Sequence, residues 1–208
     1  MERFIVVDYH AGNLTSVLNA FGRLGLSVKA SSDPAEIADA DRLVFPGVGA
    51  ARSAMETLEK TGIGKSIVHV VERKRPVLGI CIGCQIVLRS SEENGGVECL
   101  GLIDGKAVRF RSEPGIKIPQ MGWNQVNLLK KHPLFDGVPD GSDFYFVHSF
   151  HPDFISEENA LAKTTFGTQT FVSAVCRENL VATQFHLEKS GEVGLRVLKN
   201  FGEWSGVC

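Results

Sequence analysis

The sequence lacks the features that mark a membrane protein or a protein that binds polyanions. Its longest mostly apolar run, Pro76 to Leu88, has 13 residues and contains Gln85, whereas a membrane-spanning helix needs about 20. Its 22 basic and 24 acidic side chains give a net charge of −2, which does not favour nucleic acid or an anionic membrane. The first residues show no signal-peptide pattern. We therefore expect a cytoplasmic protein without a nucleic-acid or membrane partner.

The sequence has an odd number of cysteines, which argues against a disulfide framework. The five cysteines among 208 residues favour separate thiol roles in a chain without an export signal. Glycine, by contrast, is plentiful at 22 residues and follows no collagen-like period. Many turns or close backbone contacts must depend on it. Because 43% of the residues are hydrophobic, we expect a sizeable core and one domain over residues 1–208.

The pattern of apolar residues predicts an α/β fold. The first half alternates short apolar runs with amphipathic stretches, as βαβ units do, and turn-rich connections separate the strand-like runs of the second half. We predict a mixed, mostly parallel sheet flanked by helices and extended by antiparallel strands. The predicted strands are Phe4–Val7, Leu26–Val28, Leu43–Phe45, Val77–Ile80, Val108–Phe110, Gln125–Leu128, Phe144–Val147, Phe171–Ala174 and Leu180–Phe185. The predicted helices are Thr15–Arg23, Ala50–Lys60, Lys65–Arg73 and Ser190–Trp204.

Cys81 stands between two glycines at a predicted strand-to-helix junction. The segment Gly79-Ile80-Cys81-Ile82-Gly83 has the spacing of a nucleophile elbow, a sharp turn that lifts a reactive side chain above the sheet edge. The positive end of the following helix would favour the thiolate. Taken alone, the motif fits a buried cysteine at a strand end equally well.

A thiol nucleophile needs a base, and the base needs an orienting group. Of six histidines, His186 follows a predicted strand and precedes Glu188 by two positions. Residues i and i+2 of an extended backbone share a face, so the carboxylate can fix the orientation of the imidazole. We predict a Cys-His-Glu triad of Cys81, His186 and Glu188. A polar strand end is the alternative for the short His-x-Glu motif alone.

Acyl chemistry also needs donors for an oxyanion. The backbone N–H of Ile82 is one candidate, because elbow enzymes use the residue after the nucleophile. The loop formed by Gly47, Val48 and Gly49 is a second, since it follows a neighbouring parallel strand. An ordinary tight turn is the alternative for this loop.

Three other functions use similar residues but fit the sequence less well. Cys81-Ile82-Gly83-Cys84 is a C-x-x-C motif, which a thioredoxin-like redox protein would use. His148 and His151 form an H-x-x-H, but the sequence contains no second ligand pair with zinc-site spacing. The H-x-E and C-x-x-C motifs stand in the reverse of the deaminase order. We expect no metal site and no cofactor.

The assembled motifs resemble those of class I glutamine amidotransferases, over essentially the whole chain. Within that family they are most similar to glutaminase subunits that serve a cyclase in histidine biosynthesis. The matching segments are Asp8 to Leu14, Pro46 to Gly49, Gly79 to Gln85, Met121 to Asn124, Tyr145 to Ser149 and Gln184 to Ser190.

This resemblance implies roles for particular residues. Cys81 would attack the side-chain amide of L-glutamine, His186 would transfer the proton, and Glu188 would orient His186. The residues implied to hold the amino and carboxylate groups of the substrate are Gln85, Glu93, Ser149 and Phe150. The loop Gly47 to Gly49 would also act as an activation switch.

The resemblance further implies a heterodimer with a (β/α)₈ cyclase, which would receive ammonia through an internal tunnel. Asn13, Trp123 and Asn124 match family segments at that interface. Such routing has a physical reason, because ammonia released to water becomes ammonium, which is not a nucleophile.

The sequence departs from the family pattern without losing a reacting group. His10 replaces the usual glycine, Cys84 the usual methionine, and Phe150 a frequent tyrosine. Leu187 replaces the proline between the catalytic histidine and glutamate, which removes a backbone constraint and puts the rate in question. Two alternatives stay open: a paralogous glutaminase for another synthase, and a catalytically weakened docking scaffold.

Overall fold

The computed structural model describes residues 2–9 and 13–207. The sequence features at His10, Gly12 and Cys208 lie outside these residues. The strands are β1 (Phe4–Val7), β2 (Lys29–Ser31), β3 (Arg42–Gly47), β4 (Val77–Cys81), β5 (Ser90–Ser91), β6 (Val97–Glu98), β7 (Lys106–Arg109), β8 (Gln120–Leu128), β9 (Ser142–His148), β10 (Phe150–Asp153), β11 (Ala160–Phe166), β12 (Gln169–Arg177) and β13 (Leu180–Thr183). The helices are α1 (Leu14–Arg23), α2 (Pro34–Ala38), α3 (Ala51–Thr61), α4 (Ile63–Glu72), α5 (Ile82–Ile86) and α6 (Gly191–Glu203).

Nine strands form one sheet in the order β2-β1-β3-β4-β13-β12-β11-β8-β9. Neighbours from β2 to β13 pair in parallel, and those from β13 to β9 pair antiparallel. A smaller sheet has the order β10-β7-β5-β6. The predicted α/β sheet with an antiparallel extension is therefore confirmed.

The large sheet has an apolar core on each face, because successive strand residues point to opposite sides. In β1, Phe4 and Val6 belong to one core cluster, whereas Ile5 and Val7 belong to the other. Helices α1 and α6 pack together on the first side, and α2, α3 and α4 pack on the second. None of the helices in the described ranges is long and apolar enough to cross a membrane.

The predicted strand Leu26–Val28 is wrong, because Leu26 closes helix α1. Its N–H bonds to the carbonyl of Phe21 at 3.1 Å, and the N–H of Gly25 bonds to that of Gly22 at 3.0 Å. With Gly25 at φ 70°, this is the Schellman motif, which uses an apolar residue after the glycine. The strand begins only at Lys29.

Several elements were not predicted. The sequence does contain a start signal for helix α2. Asp33 caps the helix by accepting from the N–H of Ala35 at 2.9 Å, and Pro34 is the first helical residue. An aspartate followed by proline is typical of a helix start. Strands β10 and β11 lack such signals, and β11 is built mainly of alanine, threonine and lysine. Its β position follows from pairing with β12 rather than from its own composition.

Candidate active site

Cys81 ends β4 and precedes α5 in a strained backbone conformation. Its φ is 56° and its ψ is −102°, a region that non-glycine residues seldom adopt and that costs of order 1–3 kcal/mol. The sharp turn predicted for a nucleophile elbow is therefore confirmed. The side chain of Cys81 is almost completely buried, with 6% of the residue exposed.

The two glycines around Cys81 provide space rather than unusual dihedral angles. A Cβ atom at Gly83 would lie 2.5 Å from the carbonyl oxygen of Phe45, and one at Gly79 would lie 3.0 Å from the Cβ of Ala182. Any side chain at Gly83 would separate α5 from β3. The strain thus falls on Cys81 itself, and the glycines allow the neighbouring backbone to pack closely.

His186 and Glu188 are in direct contact, as the sequence predicts. Nδ1 of His186 lies 2.6 Å from Oε1 of Glu188, and both side chains are buried. The backbone differs from the expected strand, because β13 ends at Thr183 and Glu188 lies in a 3-10 turn, Leu187–Lys189. The contact forms with Leu187 in place of proline.

The surroundings of His186 make its imidazole a stronger base than that of an exposed histidine. Burial lowers its pKa, but interactions with Cys81 and Glu188 outweigh that effect and raise the pKa overall. Its Nε2 atom has no hydrogen-bond partner among the described residues. With Nδ1 in contact with Glu188, Nε2 is the ring nitrogen that is left to take a proton.

The predicted substrate-binding and oxyanion residues other than Gly47 meet in one cavity of about 330 Å³. Its volume is within the range of small-molecule sites. Cys81 opens into this cavity, which is also lined by the predicted residues Val48, Gly49, Ile82, Gln85, Glu93, Ser149 and Phe150. These residues lie on separate elements, so the fold brings them together.

Two of these residues have contacts that limit their roles. One carboxylate oxygen of Glu93 accepts from the N–H of Ala51 at 2.6 Å, at the start of α3. Gln85 donates through Nε2 to the carbonyl of Phe150 at 3.0 Å and to Oε1 of Gln184 at 3.2 Å. Each therefore supports the cavity wall in addition to any contact with substrate.

The loop from Gly47 to Gly49 connects β3 to α3 beside Cys81. A Cβ atom at Gly47 would lie 2.0 Å from the hydroxyl oxygen of Tyr9 and 2.5 Å from Cγ2 of Ile82. Gly49 has φ 106°, which favours glycine. Val48 is 38% exposed. Glycine is therefore required at Gly47 by close packing and at Gly49 by backbone conformation.

Sequence reasoning missed Tyr9 and Gln184. The hydroxyl of Tyr9 is buried against Gly47 without a hydrogen-bond partner among the described residues, and burial raises the pKa of Tyr9. Nε2 of Gln184 lies 3.9 Å from Sγ of Cys81. Both belong to segments that resemble the family, but only the tertiary structure shows that they lie near Cys81.

The residues predicted for the partner interface have different environments. Trp123 is 58% exposed. The amide of Asn124 instead donates to the carbonyl of Thr165 at 2.8 Å. Asn13 donates its side-chain amide to Oε1 of Glu188, so the structure connects it to the predicted triad.

The histidines and thiols considered for metal or redox chemistry have structural contacts. Nδ1 of His148 lies 2.7 Å from the carbonyl of Phe150, and Nδ1 of His151 lies 3.0 Å from that of Pro152. Cys84 is buried, and burial raises the pKa of its thiol, which disfavours thiol exchange. Of the other cysteines in the described residues, Cys176 is buried and Cys99 is half-buried.

Solved structures share the fold at low sequence identity. One described as a glutamine amidotransferase has a TM-score of 0.75 and 18% identity, covering 98% of this chain and 99% of its own. The structure of PurLQS from Thermotoga maritima has a TM-score of 0.71 and 19% identity, covering 97% of this chain and 98% of its own.

Comparison with known sequences identifies the family. The model of the family described as "Glutamine amidotransferase class-I" matches residues 5–203. Three curated relatives are each named "Imidazole glycerol phosphate synthase subunit HisH". The relative from Synechococcus is 47% identical over 97% of this chain and 94% of its own length. The Dehalococcoides mccartyi protein is 45% identical over 94% of both chains, and the Methanosarcina mazei protein 44% over 98% and 99%. With a matching family model and relatives of this identity along its whole length, the chain belongs to the class-I glutamine amidotransferase family.

Proposed function

We propose that this chain is the glutaminase subunit of an imidazole glycerol phosphate synthase and supplies ammonia for L-histidine biosynthesis. The observation that carries the proposal is the position of Cys81, which is strained at the end of β4 and open to the cavity. The names of full-length relatives at 44–47% identity support the same assignment.

Hydrolysis of L-glutamine follows from the proposed roles of three residues. Cys81 attacks the side-chain amide carbon while His186 takes the thiol proton, and the N–H of Ile82 and the loop at Gly49 face the developing oxyanion. The C–N bond then breaks, and His186 returns the proton to the nitrogen, which releases ammonia and leaves a thioester. His186 then deprotonates a water molecule that attacks the thioester carbon. The C–S bond breaks, glutamate is released, and His186 returns the proton to the sulfur of Cys81.

The ammonia would pass to a (β/α)₈ cyclase subunit, which makes imidazole glycerol phosphate and the carboxamide by-product AICAR. An exposed apolar patch supports a partner on this face, since Met121 is 67% and Trp123 58% exposed. The Trp123 ring packs on that of Tyr145 at 6.1 Å. The carbonyl of Tyr145 accepts from the N–H of His186 at 2.9 Å, so a partner at this patch would lie one residue from the triad.

Substitution of the nucleophile tests the proposal in the complex reconstituted with the cyclase. Cys81→Ala should abolish glutamine-dependent synthesis and leave ammonia-dependent synthesis unchanged, because ammonia bypasses the glutaminase. An acyl-cysteine at Cys81, detected by mass spectrometry, would exclude a docking scaffold. Retained use of glutamine by the alanine variant would overturn the assignment.

A further inference from the structure

Gln184 lies beside the nucleophile, and the mechanism above gives it no role. Strands β4 and β13 are parallel neighbours that pair Ile80 with Thr183, so the next residues along them are Cys81 and Gln184. The side chain of Gln184 is fully buried. Its Nε2 atom lies 3.9 Å from Sγ of Cys81, a distance at which a sulfur atom can accept a weak hydrogen bond.

The orientation of the Gln184 amide follows from one backbone carbonyl. The carbonyl of Phe150 can only accept, so the Gln85 atom that lies 3.0 Å from it must be the donor Nε2. The same Nε2 lies 3.2 Å from the Gln184 amide, which must therefore present its acceptor Oε1 there. The remaining atom of the amide, Nε2, then has to face Cys81. The contacts that run from the Phe150 carbonyl through Gln85 to Gln184 therefore direct a hydrogen-bond donor at the sulfur of Cys81.

A donor at this position acts on the ionised sulfur rather than on the neutral thiol. Cys81 is 6% exposed, so little water can solvate the thiolate that attacks the substrate or the one that leaves when the thioester is hydrolysed. Hydrogen bonds to an ionised acceptor are shorter and stronger than those between neutral groups. An uncharged amide can provide this stabilisation without competing with His186 for the proton.

We infer that Gln184 is a catalytic hydrogen-bond donor to the Cys81 thiolate, held in orientation by Gln85. The inference rests on the proposed function, because it takes Cys81 to be the nucleophile. Gln85 then has two roles, because it orients the Gln184 amide and also lines the cavity.

The pH profile of thiol alkylation tests this inference. Iodoacetamide is added to the full chain in its complex with the cyclase, and modification of the peptide that contains Cys81 is followed by mass spectrometry. Gln184→Met has similar length but no donor. We expect it to move the midpoint of the rate profile up by about one pH unit, a change of about tenfold in thiolate population. Glutamine hydrolysis should lose about tenfold in kcat with little change in KM.

Thr183→Val is the matched control. Thr183 is equally buried, and its hydroxyl donates to the carbonyl of Phe185 at 3.0 Å, so the variant loses a nearby buried hydrogen bond without touching Cys81. An unchanged midpoint in Gln184→Met, or an equal shift in Thr183→Val, would overturn the inference. If Gln184→Met does not fold, Gln184→Leu, which also lacks a donor, replaces it and should move the midpoint by a similar amount.

Alkylation does not depend on glutamine being the substrate. If the wild-type complex failed to hydrolyse glutamine, the proposed function would be wrong. The alkylation profile would still decide whether Gln184 stabilises the thiolate, so the two failures are distinguishable.

Discussion

The side-chain amide of Asn13 donates to Oε1 of Glu188, the same carboxylate oxygen that lies 2.6 Å from Nδ1 of His186. Asn13 precedes α1 and has φ 63°, a left-handed conformation that asparagine tolerates better than most residues. The left-handed conformation of Asn13 therefore directs its amide at Glu188, the buried acid of the proposed triad. We interpret Asn13 as a positioning residue, in addition to its predicted place at the partner interface.

Replacing Asn13 by glycine should reduce glutaminase activity in the complex about tenfold in kcat. Glycine adopts the same positive φ without strain, so the substitution removes the amide and leaves the backbone conformation available. A hydrogen bond to a charged group contributes about 1.5–3 kcal/mol, and its loss would let Glu188 and His186 move out of alignment. Steady-state hydrolysis of glutamine, measured at saturating cyclase, provides kcat and KM.

The affinity for the cyclase is the control for this variant, because it depends on the interface but not on the triad. We expect it to match wild type within a factor of about two. If kcat for glutamine were also unchanged, Asn13 would have no positioning role.

The proposed reacting residues can be located from sequence because their signals are local. The elbow around Cys81 is a five-residue pattern, and the His186–Glu188 contact spans three residues, so both are predictable without tertiary structure. The geometric reason given for His186 and Glu188 is incomplete, since the strand ends before them and a 3-10 turn makes the contact.

The supporting residues cannot be assigned from sequence, because their roles depend on packing between distant segments. Asn13 is 175 positions from Glu188, and Gln184 is 103 from Cys81. In the fold, the prediction for Leu26 is wrong because an apolar residue that closes a helix has the same hydropathy as one in a strand. Gly25 precedes Leu26, but this glycine identifies Leu26 as the residue that closes the helix only when the end of α1 is already known.

Alanine at Gly47 should disrupt the oxyanion loop. The added Cβ would approach Tyr9 and Ile82 to 2.0 and 2.5 Å, so the strand end or these side chains must shift, and overpacking of this kind costs about 1–3 kcal/mol. We expect kcat for glutamine to fall at least about tenfold, because Ile82 and the loop supply the proposed oxyanion donors. Chemical denaturation of the chain and glutaminase assays of the complex measure the two effects.

Gly22→Ala is the matched control for Gly47→Ala. Gly22 lies within α1, and a Cβ there would meet no atom within 4 Å, so alanine should be neutral or stabilise by up to about 1 kcal/mol. Equal effects of the two substitutions would contradict the packing argument.

Phenylalanine at Tyr9 should stabilise the protein. The hydroxyl is buried and has no hydrogen-bond partner among the described residues, and an unsatisfied polar group costs about 1–3 kcal/mol. We expect the free energy of unfolding to rise by about 1 kcal/mol in urea denaturation. Tyr145→Phe, the same change at the other tyrosine, whose hydroxyl is not among the buried unpaired groups, should alter it by less than about 0.5 kcal/mol. A loss of stability in Tyr9→Phe would show that the hydroxyl has a partner in the folded protein.

The lowered pKa of His132 predicts how the free energy of unfolding depends on pH. It is buried beside Trp204, and its Nδ1 accepts from the N–H of Leu134 at 3.1 Å. Burial, aided by Lys130 and opposed by Asp136, lowers its pKa to about 4. The pKa of His132 is about 6.5 in the unfolded chain, so at pH values between 6.5 and 4 the unfolded chain takes up a proton there and the folded protein does not. The stability that depends on neutral His132 is therefore fully present above pH 6.5 and is lost as the pH falls towards 4.

Replacing His132 by asparagine should make the free energy of unfolding less dependent on pH in the acidic range. Asparagine retains an oxygen that can cap the 3-10 turn Pro133–Phe135 but does not titrate, so one source of proton uptake in the unfolded state disappears. Between pH 7.5 and pH 5.0, His132→Asn should lose about 2 kcal/mol less of its unfolding free energy than wild type, as measured by urea denaturation at both values. Buried His148 and His151 also have lowered pKa values, but their contribution is common to both proteins and cancels. Parallel losses in the two proteins would mean that His132 is protonated with little cost in the folded state.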